Sequence, residues 1–219
     1  MSPKNMPQSR ARRRSERRFL LWGGLGLLVF AAVVIGLAIS SGDDVEADEF
    51  ETGFAEAIGP ALPRYDGSAV GVGAPAPDIR THTTEVDTEV YFEMDDGTVR
   101  VVEFFAHWCQ FCRRELPRQS SWLLDNGGPE GVEILAISTS VDSGAPNHPP
   151  AAWFNREEWP LPVYVDSENG AVATGYGLAT FPYYVLVDGD GIVVERGSGE
   201  LSENEFAALI DRAAAARPA

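Results

Sequence analysis

Two cysteines are all that the 219 residues contain, and only three histidines accompany them. A structural zinc site takes four ligands. Here His82, His107 and His148 form no paired motif beside Cys109 and Cys112. Positive charge is scarce outside the first 18 residues. That tail holds Lys4, Arg10, Arg12, Arg13, Arg14, Arg17 and Arg18 against Glu16, a net +6, and residues 19–39 hold no charge. The total of −16 therefore leaves −22 from Ser40 onward. A body that acidic is a poor match for a nucleic-acid phosphate backbone and reads as a solvated, soluble surface. There is no internal repeat. The hydrophobic fraction of 44% is ordinary for a globular chain, and the length suits one or two domains.

What is present begins with FLLWGGLGLLVFAAVVIGLAI, residues 19–39. At 1.5 Å per residue this run spans about 30 Å, the hydrocarbon core of a bilayer. Cleaved secretory signals usually have a shorter apolar region, although Ala38-Ile39-Ser40 has a small-x-small pattern. The expectation is an uncleaved anchor. Basic residues before the run and acidic ones after it place residues 1–18 in the cytoplasm and residue 40 onward outside the cell membrane. Residues 40–72 are acidic and Gly-rich and read as a flexible linker, with a short helix around 46–58 as an alternative.

The globular body is expected over 73–219. Segments 88–94 and 99–105 read as a hairpin across Asp95-Asp96-Gly97. The second of these is nearly all apolar, as suits a central strand buried on both faces. A helix is expected over 109–125, stopping before Asn126-Gly127-Gly128-Pro129. Then come a strand at 132–139, a helix at 151–159, a strand at 161–165 and a helix at 168–175. A hairpin of 182–187 and 192–196 follows, and a helix over 202–215 carries a capping box at Ser202 and Glu205. This order predicts an α/β fold: a central mixed β-sheet with helices on both faces.

VVEFFAHWCQFCRRELP, residues 101–117, carries both cysteines. Three readings of the pair compete: a staple, a metal site and a redox centre. Closing a loop of about four residues returns roughly 2 kcal/mol, against about 4.7 kcal/mol for a 100-residue loop, so a staple is better made between distant positions. The spacing Cys-x-x-Cys beside a β-α-β pattern points to redox chemistry. Cys109 would sit at a helix start, where unpaired N–H groups and the helix dipole favour a thiolate. Cys112, one turn on, can attack a mixed disulfide at Cys109 and release the substrate. Arg113 and Arg114 read either as added positive potential or as a solvated helix face. His107 reads as a partly exposed loop residue.

The segment resembles the active-site motif of the thioredoxin superfamily: strand, Trp108-Cys109-x-x-Cys112, helix, with Pro117 at the position of the family's helix-kinking proline. Ala179-Thr180-Phe181-Pro182 resembles its cis-proline loop. Gly73-Ala74-Pro75-Ala76-Pro77-Asp78 and Val163-Tyr164-Val165-Asp166 resemble the extracytoplasmic TlpA/ResA-like branch. The likeness covers about 73–215. It implies a thioredoxin-like fold and a redox-active Cys109–Cys112 disulfide, with no other cofactor. It implies that Glu103, buried beneath the pair with its pKa raised, moves the Cys112 proton. It implies that Trp108, Thr180, Phe181 and a cis Pro182 shape and pair with the substrate chain. The implied partners are exported protein thiols and disulfides and a membrane thiol–disulfide electron carrier, with no nucleic acid. Reduction of apocytochrome c cysteines is the branch's best-known task.

Departures leave alternatives open. Gln110-Phe111 stands where reductant thioredoxins have Gly-Pro, and Phe181 is bulkier than the usual residue before the proline. Electron flow in the oxidising direction, forming disulfides in exported proteins, is therefore a second reading. A peroxiredoxin-type peroxidase is a third, against which Ala106 stands where that site places a Thr. A non-enzymatic binding module is a fourth.

Overall fold

A computed structural model describes residues 51–86 and 88–217. The expected tail at 1–18 and anchor at 19–39 lie outside those residues. Among the described residues no helix is long and apolar enough to cross a membrane.

The strands are β1 (Glu56–Ile58), β2 (Asp78–Thr81), β3 (Val90–Phe92), β4 (Val99–Phe105), β5 (Val132–Ser138), β6 (Val163–Val165), β7 (Tyr183–Val187) and β8 (Val193–Ser198). The helices are α1 (Cys112–Asn126), α2 (Pro150–Arg156), α3 (Ala171–Gly175) and α4 (Glu203–Ala215). Five strands form one sheet in the order β6-β5-β4-β7-β8. β4 pairs parallel with β5 and antiparallel with β7, so the sheet is mixed, as expected. All seven residues of β4 are buried, the consequence of its unbroken apolar run.

Alternation along β4 divides the core in two. Val99, Val101 and Phe105 point into a cluster with Leu116 and Leu123 of α1, Trp153 of α2 and Phe206 and Leu209 of α4. Val102 and Phe104 point the other way, among Val172 of α3, Tyr176, Tyr183 and Ile79 of β2. Glu103 shares the first face, the one that α1 covers.

Three expectations are corrected. β3 does not form a hairpin with β4; it pairs with β2 in a separate three-stranded antiparallel sheet, β1-β2-β3. Both edges of β4 are already occupied by β5 and β7, so β3 has no place beside it. Asp95-Asp96-Gly97 still turns the chain, with Gly97 at φ 90. The Asp96 carboxylate accepts from Thr98 N–H at 2.9 Å and from the buried Arg100 guanidinium at 2.7 Å. Second, the folded body begins before Gly73. β1 lies inside the stretch read as linker or helix, Ala55 and Leu62 are buried, and Leu62 N–H donates to Gly175 O at 2.8 Å. Arg196, itself buried, ties this stretch down by donating to Val70 O (2.6 Å) and Pro63 O (2.9 Å). Third, the helix carrying the cysteines starts at Cys112, three residues later than expected.

The other elements form where sequence placed them, with shifted ends. α1 stops where Gly127, at φ 76, donates to Leu123 O at 2.8 Å. α3 begins at Ala171 rather than at 168, and the buried Asp166 carboxylate at the end of β6 caps it from outside. Its oxygens accept Val172 N–H and Ala173 N–H at 2.9 and 3.0 Å. α4 carries the expected capping box.

Candidate active site

β4 ends at Phe105 and α1 begins at Cys112; the short connection between them presents the cysteines. The residues between Cys109 and Cys112 form a turn, not a helix. Cys109 C=O still accepts Arg113 N–H at 3.0 Å, so Cys109 abuts the first turn of α1. Cys112 N–H, one of the helix's orphan donors, points at Cys109 Sγ at 3.5 Å. That is the contact expected of a backbone that stabilises charge on the first sulfur. Both thiols are unlinked. Cys109 keeps 6% of its surface and Cys112 none. Both residues are buried, Cys109 less completely than Cys112. Burial pushes the Cys112 thiol well above its ordinary pKa, and the charge of Glu115 adds to this.

The surroundings of Cys109 are aromatic. Trp108 and Phe111 are exposed at 39% and 42%. The Trp108 indole N–H donates to Ser140 O at 2.7 Å, and its ring meets Phe181 edge-to-face at 5.7 Å. The Phe181–Pro182 peptide is cis, as the resemblance implied. A second cis bond, His148–Pro149, had no signal in the sequence. Among the described residues, Thr180 and Phe181 take part in no backbone–backbone hydrogen bond. The Thr180 hydroxyl donates to Ser198 Oγ at 3.1 Å.

On the basic side, Gln110, Arg113, Arg114, Asn147, Arg156 and Glu157 line an open cavity of about 450 Å³. Arg114 pairs with Glu200, its Nε at 2.9 Å, and its guanidinium lies 4.8 Å from the Phe111 ring centroid. Arg118 donates to the same Glu200 carboxylate. Arg113 is exposed and makes no ion pair among the described residues.

His107 departs from its reading as a partly exposed loop residue: it is 1% exposed. Nε2 accepts Asp142 N–H at 3.1 Å, so Nδ1 carries the proton and donates to Pro146 O at 2.8 Å. Asn147 Nδ2 donates to His107 O at 2.9 Å. The neutral ring fastens the loop after β5 to the cysteine turn.

Glu103 lies beneath α1, 2% exposed, where burial pushes its carboxyl up to about 8 and a hydrogen bond from Gln119 pulls the other way. Sequence reading missed its companions. Glu115, also 2% exposed, is pushed up to about 9, by burial first and by the neighbouring Glu103 second. Gln119 Nε2 donates to Glu103 Oε1 at 3.0 Å and to Glu115 Oε1 at 2.7 Å. Leu201 N–H donates to Glu115 Oε2 at 3.1 Å. Spacing held a signal: Cys112, Glu115 and Gln119 recur at three and four residues, one face of a helix. A charged residue beside Arg113 and Arg114 reads by default as solvated, which hid it.

The family model for Redoxin matches residues 71–210. Thiol-disulfide oxidoreductase ResA from Bacillus anthracis is 29% identical over 105 residues, 48% of this chain and 57% of that relative, so the chain spans little more than half of its length. A thiol:disulfide interchange protein DsbE homolog from Paracoccus denitrificans is 29% identical over 165 residues, 70% of this chain and 83% of the relative. Among solved structures, a thioredoxin-family thiol:disulfide interchange protein from Chlorobium tepidum superposes with a TM-score of 0.53 at 19% identity, covering 68% of this chain and 99% of that one. A secreted Mycobacterium tuberculosis disulfide oxidoreductase homologous to DsbE gives 0.50 at 21% identity, covering 61% and 94%. With a family model matched over most of the folded body and this architecture around a Cys-x-x-Cys turn, the chain belongs to the redoxin family and has the fold of the thioredoxin superfamily.

Proposed function

We propose that the protein is a thiol–disulfide oxidoreductase whose redox couple is the Cys109–Cys112 pair. One observation carries the reading. Cys109, the less buried residue of the pair, receives the Cys112 N–H at its sulfur, while Cys112 is fully buried one turn behind it. In the reducing direction Cys109 thiolate attacks a substrate disulfide. A Cys109–substrate bond forms and one substrate sulfur leaves as thiolate. Cys112 then loses its proton to a buried carboxylate and attacks Cys109 Sγ, and the second substrate sulfur departs with its electron pair. Two electrons pass to the substrate and the Cys109–Cys112 disulfide remains. Thr180 and Phe181, with no backbone partner among the described residues, offer an edge to an extended substrate chain beside the cysteines.

The finer reading is a membrane-anchored, extracytoplasmic protein held by residues 19–39 and re-reduced by a membrane thiol–disulfide electron carrier. Its substrates are exported protein thiols, those of apocytochrome c among them. The apolar run and the charge asymmetry support the topology. Insulin reduction by the full-length protein in detergent tests the activity. Wild type should turn over and Cys109→Ser should not; equal rates for both would overturn the assignment. Equilibration with glutathione buffers sets the direction. A potential near about −270 mV suits a reductant, and one near about −120 mV would overturn the reducing direction in favour of disulfide formation.

A further inference from the structure

Gln119 has an unusual position for an amide. It is 1% exposed, and its single Nε2 donates to two buried carboxyls from different elements, Glu103 of β4 and Glu115 of α1. Its own Oε1 is buried without a hydrogen-bond partner among the described residues, and so is Glu103 Oε2. An apolar side chain of equal length would fill the same space without orphaning an oxygen. Packing therefore does not account for an amide here. Glu115 lies one turn from Cys112, and its charge opposes ionisation of that thiol. Glu103 reaches Glu115 through Gln119.

We propose that Gln119 is a positioning residue that ties Glu103 and Glu115 into one proton store serving Cys112. The proposal rests on the thiol–disulfide reading above. Two carboxyls this close in an apolar interior do not both ionise readily, so a proton leaving one is felt by the other. An N–H pointed at both stabilises whichever becomes the anion. In the resolving step the Cys112 proton moves to a carboxylate of the pair. The Cys109–Cys112 bond then forms, and the substrate sulfur leaves as thiolate, later protonated by solvent. The charged and titratable groups around the pair are Cys109 and Cys112 at the turn, Arg114 and Arg118 on α1, and Glu200 after β8. The two arginines are already committed to Glu200.

The test is carboxyl ¹³C NMR titration of the full-length protein in detergent micelles, wild type against Gln119→Met, with the rate of mixed-disulfide resolution measured over the same pH range. Losing its one donor should raise the Glu103 midpoint by roughly one pH unit, because a hydrogen bond to a charged group is worth about that much. The pH profile of resolution should move with it, about tenfold at fixed pH, while alkylation of Cys109 stays unchanged. An unmoved midpoint, or an unmoved resolution profile, overturns the proposal. Wild type alone provides a second arm that does not depend on the variant folding. Each glutamate signal should register the other's titration as a second inflection, and two independent single-step curves overturn it. If wild type resolves no mixed disulfide at all, the functional reading fails, whereas the carboxyl titration still decides whether the two acids act as one.

Discussion

Replacing Glu103 by Gln should flatten the protein's loss of stability with rising pH. The carboxyl is 2% exposed and held at about 8 against an ordinary value of 4.5. A group whose folded pKa is raised contributes stability that is fully present below the unfolded value and is lost as pH climbs through the folded one. At 1.36 kcal/mol per unit, the interval from 4.5 to about 8 corresponds to about 5 kcal/mol as an upper bound, because local opening and water entry reduce it. Gln119 Nε2 can still donate to the carbonyl oxygen of the substituted amide, so the variant's loss of hydrogen bonding is small. Removing the charge also relieves Glu115, whose raised value owes part to Glu103. Urea unfolding of the reduced, detergent-held protein, followed by tryptophan fluorescence between about pH 5 and about pH 8, reads this out. Wild type should lose several kcal/mol across that window. The variant should lose less, overtaking wild type near the alkaline end, while its disulfide turnover falls. Parallel stability curves for the two proteins would refute the reasoning, because they would mean that Glu103 ionises as freely folded as unfolded.

Cys112→Ser should leave Cys109 able to attack yet unable to be released, so a mixed disulfide with substrate should accumulate on non-reducing gels; rapid loss of that adduct would show that Cys112 is not the resolving group. Arg196→Met should cost about 2–4 kcal/mol, since Val70 O and Pro63 O lose their donor and Tyr176 O keeps only the Tyr183 hydroxyl, and a change below about 0.5 kcal/mol in urea unfolding would count against the clamp. Ser202→Ala should cost about 1 kcal/mol through loss of the capping box on α4, checked in the same assay. Trp108→Ala should lower kcat/KM for a peptide disulfide with a change of only about 1 kcal/mol in stability, because the ring is exposed and is held by the edge of Phe181 and one hydrogen bond to Ser140 O.

Much of the fold was legible because burial leaves a pattern. β4 announced itself as an apolar run, and the Gly127 stop and the Ser202 cap sit where propensity put them. β1 was not legible: three residues, Glu56–Ile58, inside an acidic stretch become a strand only because β2 offers an edge. The misread hairpin at β3 has the same origin, since a turn signal says that the chain reverses but not which strand it will join. At the site, Cys109 and Cys112 were plain from spacing, whereas cis Pro182 came only through resemblance. Glu115 and Gln119 stayed hidden because a polar residue on a helix is usually wet, and only the covering of α1 by β4 and the Leu201 backbone makes these two dry.

The alternation of β4 gives the chemistry a dependence on phase. Glu103 is an acid beneath α1 only because an odd-numbered position faces that helix. A single residue inserted ahead of it would rotate the carboxyl to the opposite side of the sheet, into the place of Phe104 against Tyr176 and Tyr183, away from Gln119. The proton-handling group is thus specified by counting along the strand as much as by residue type, and an insertion would silence it while leaving every side chain of the motif intact.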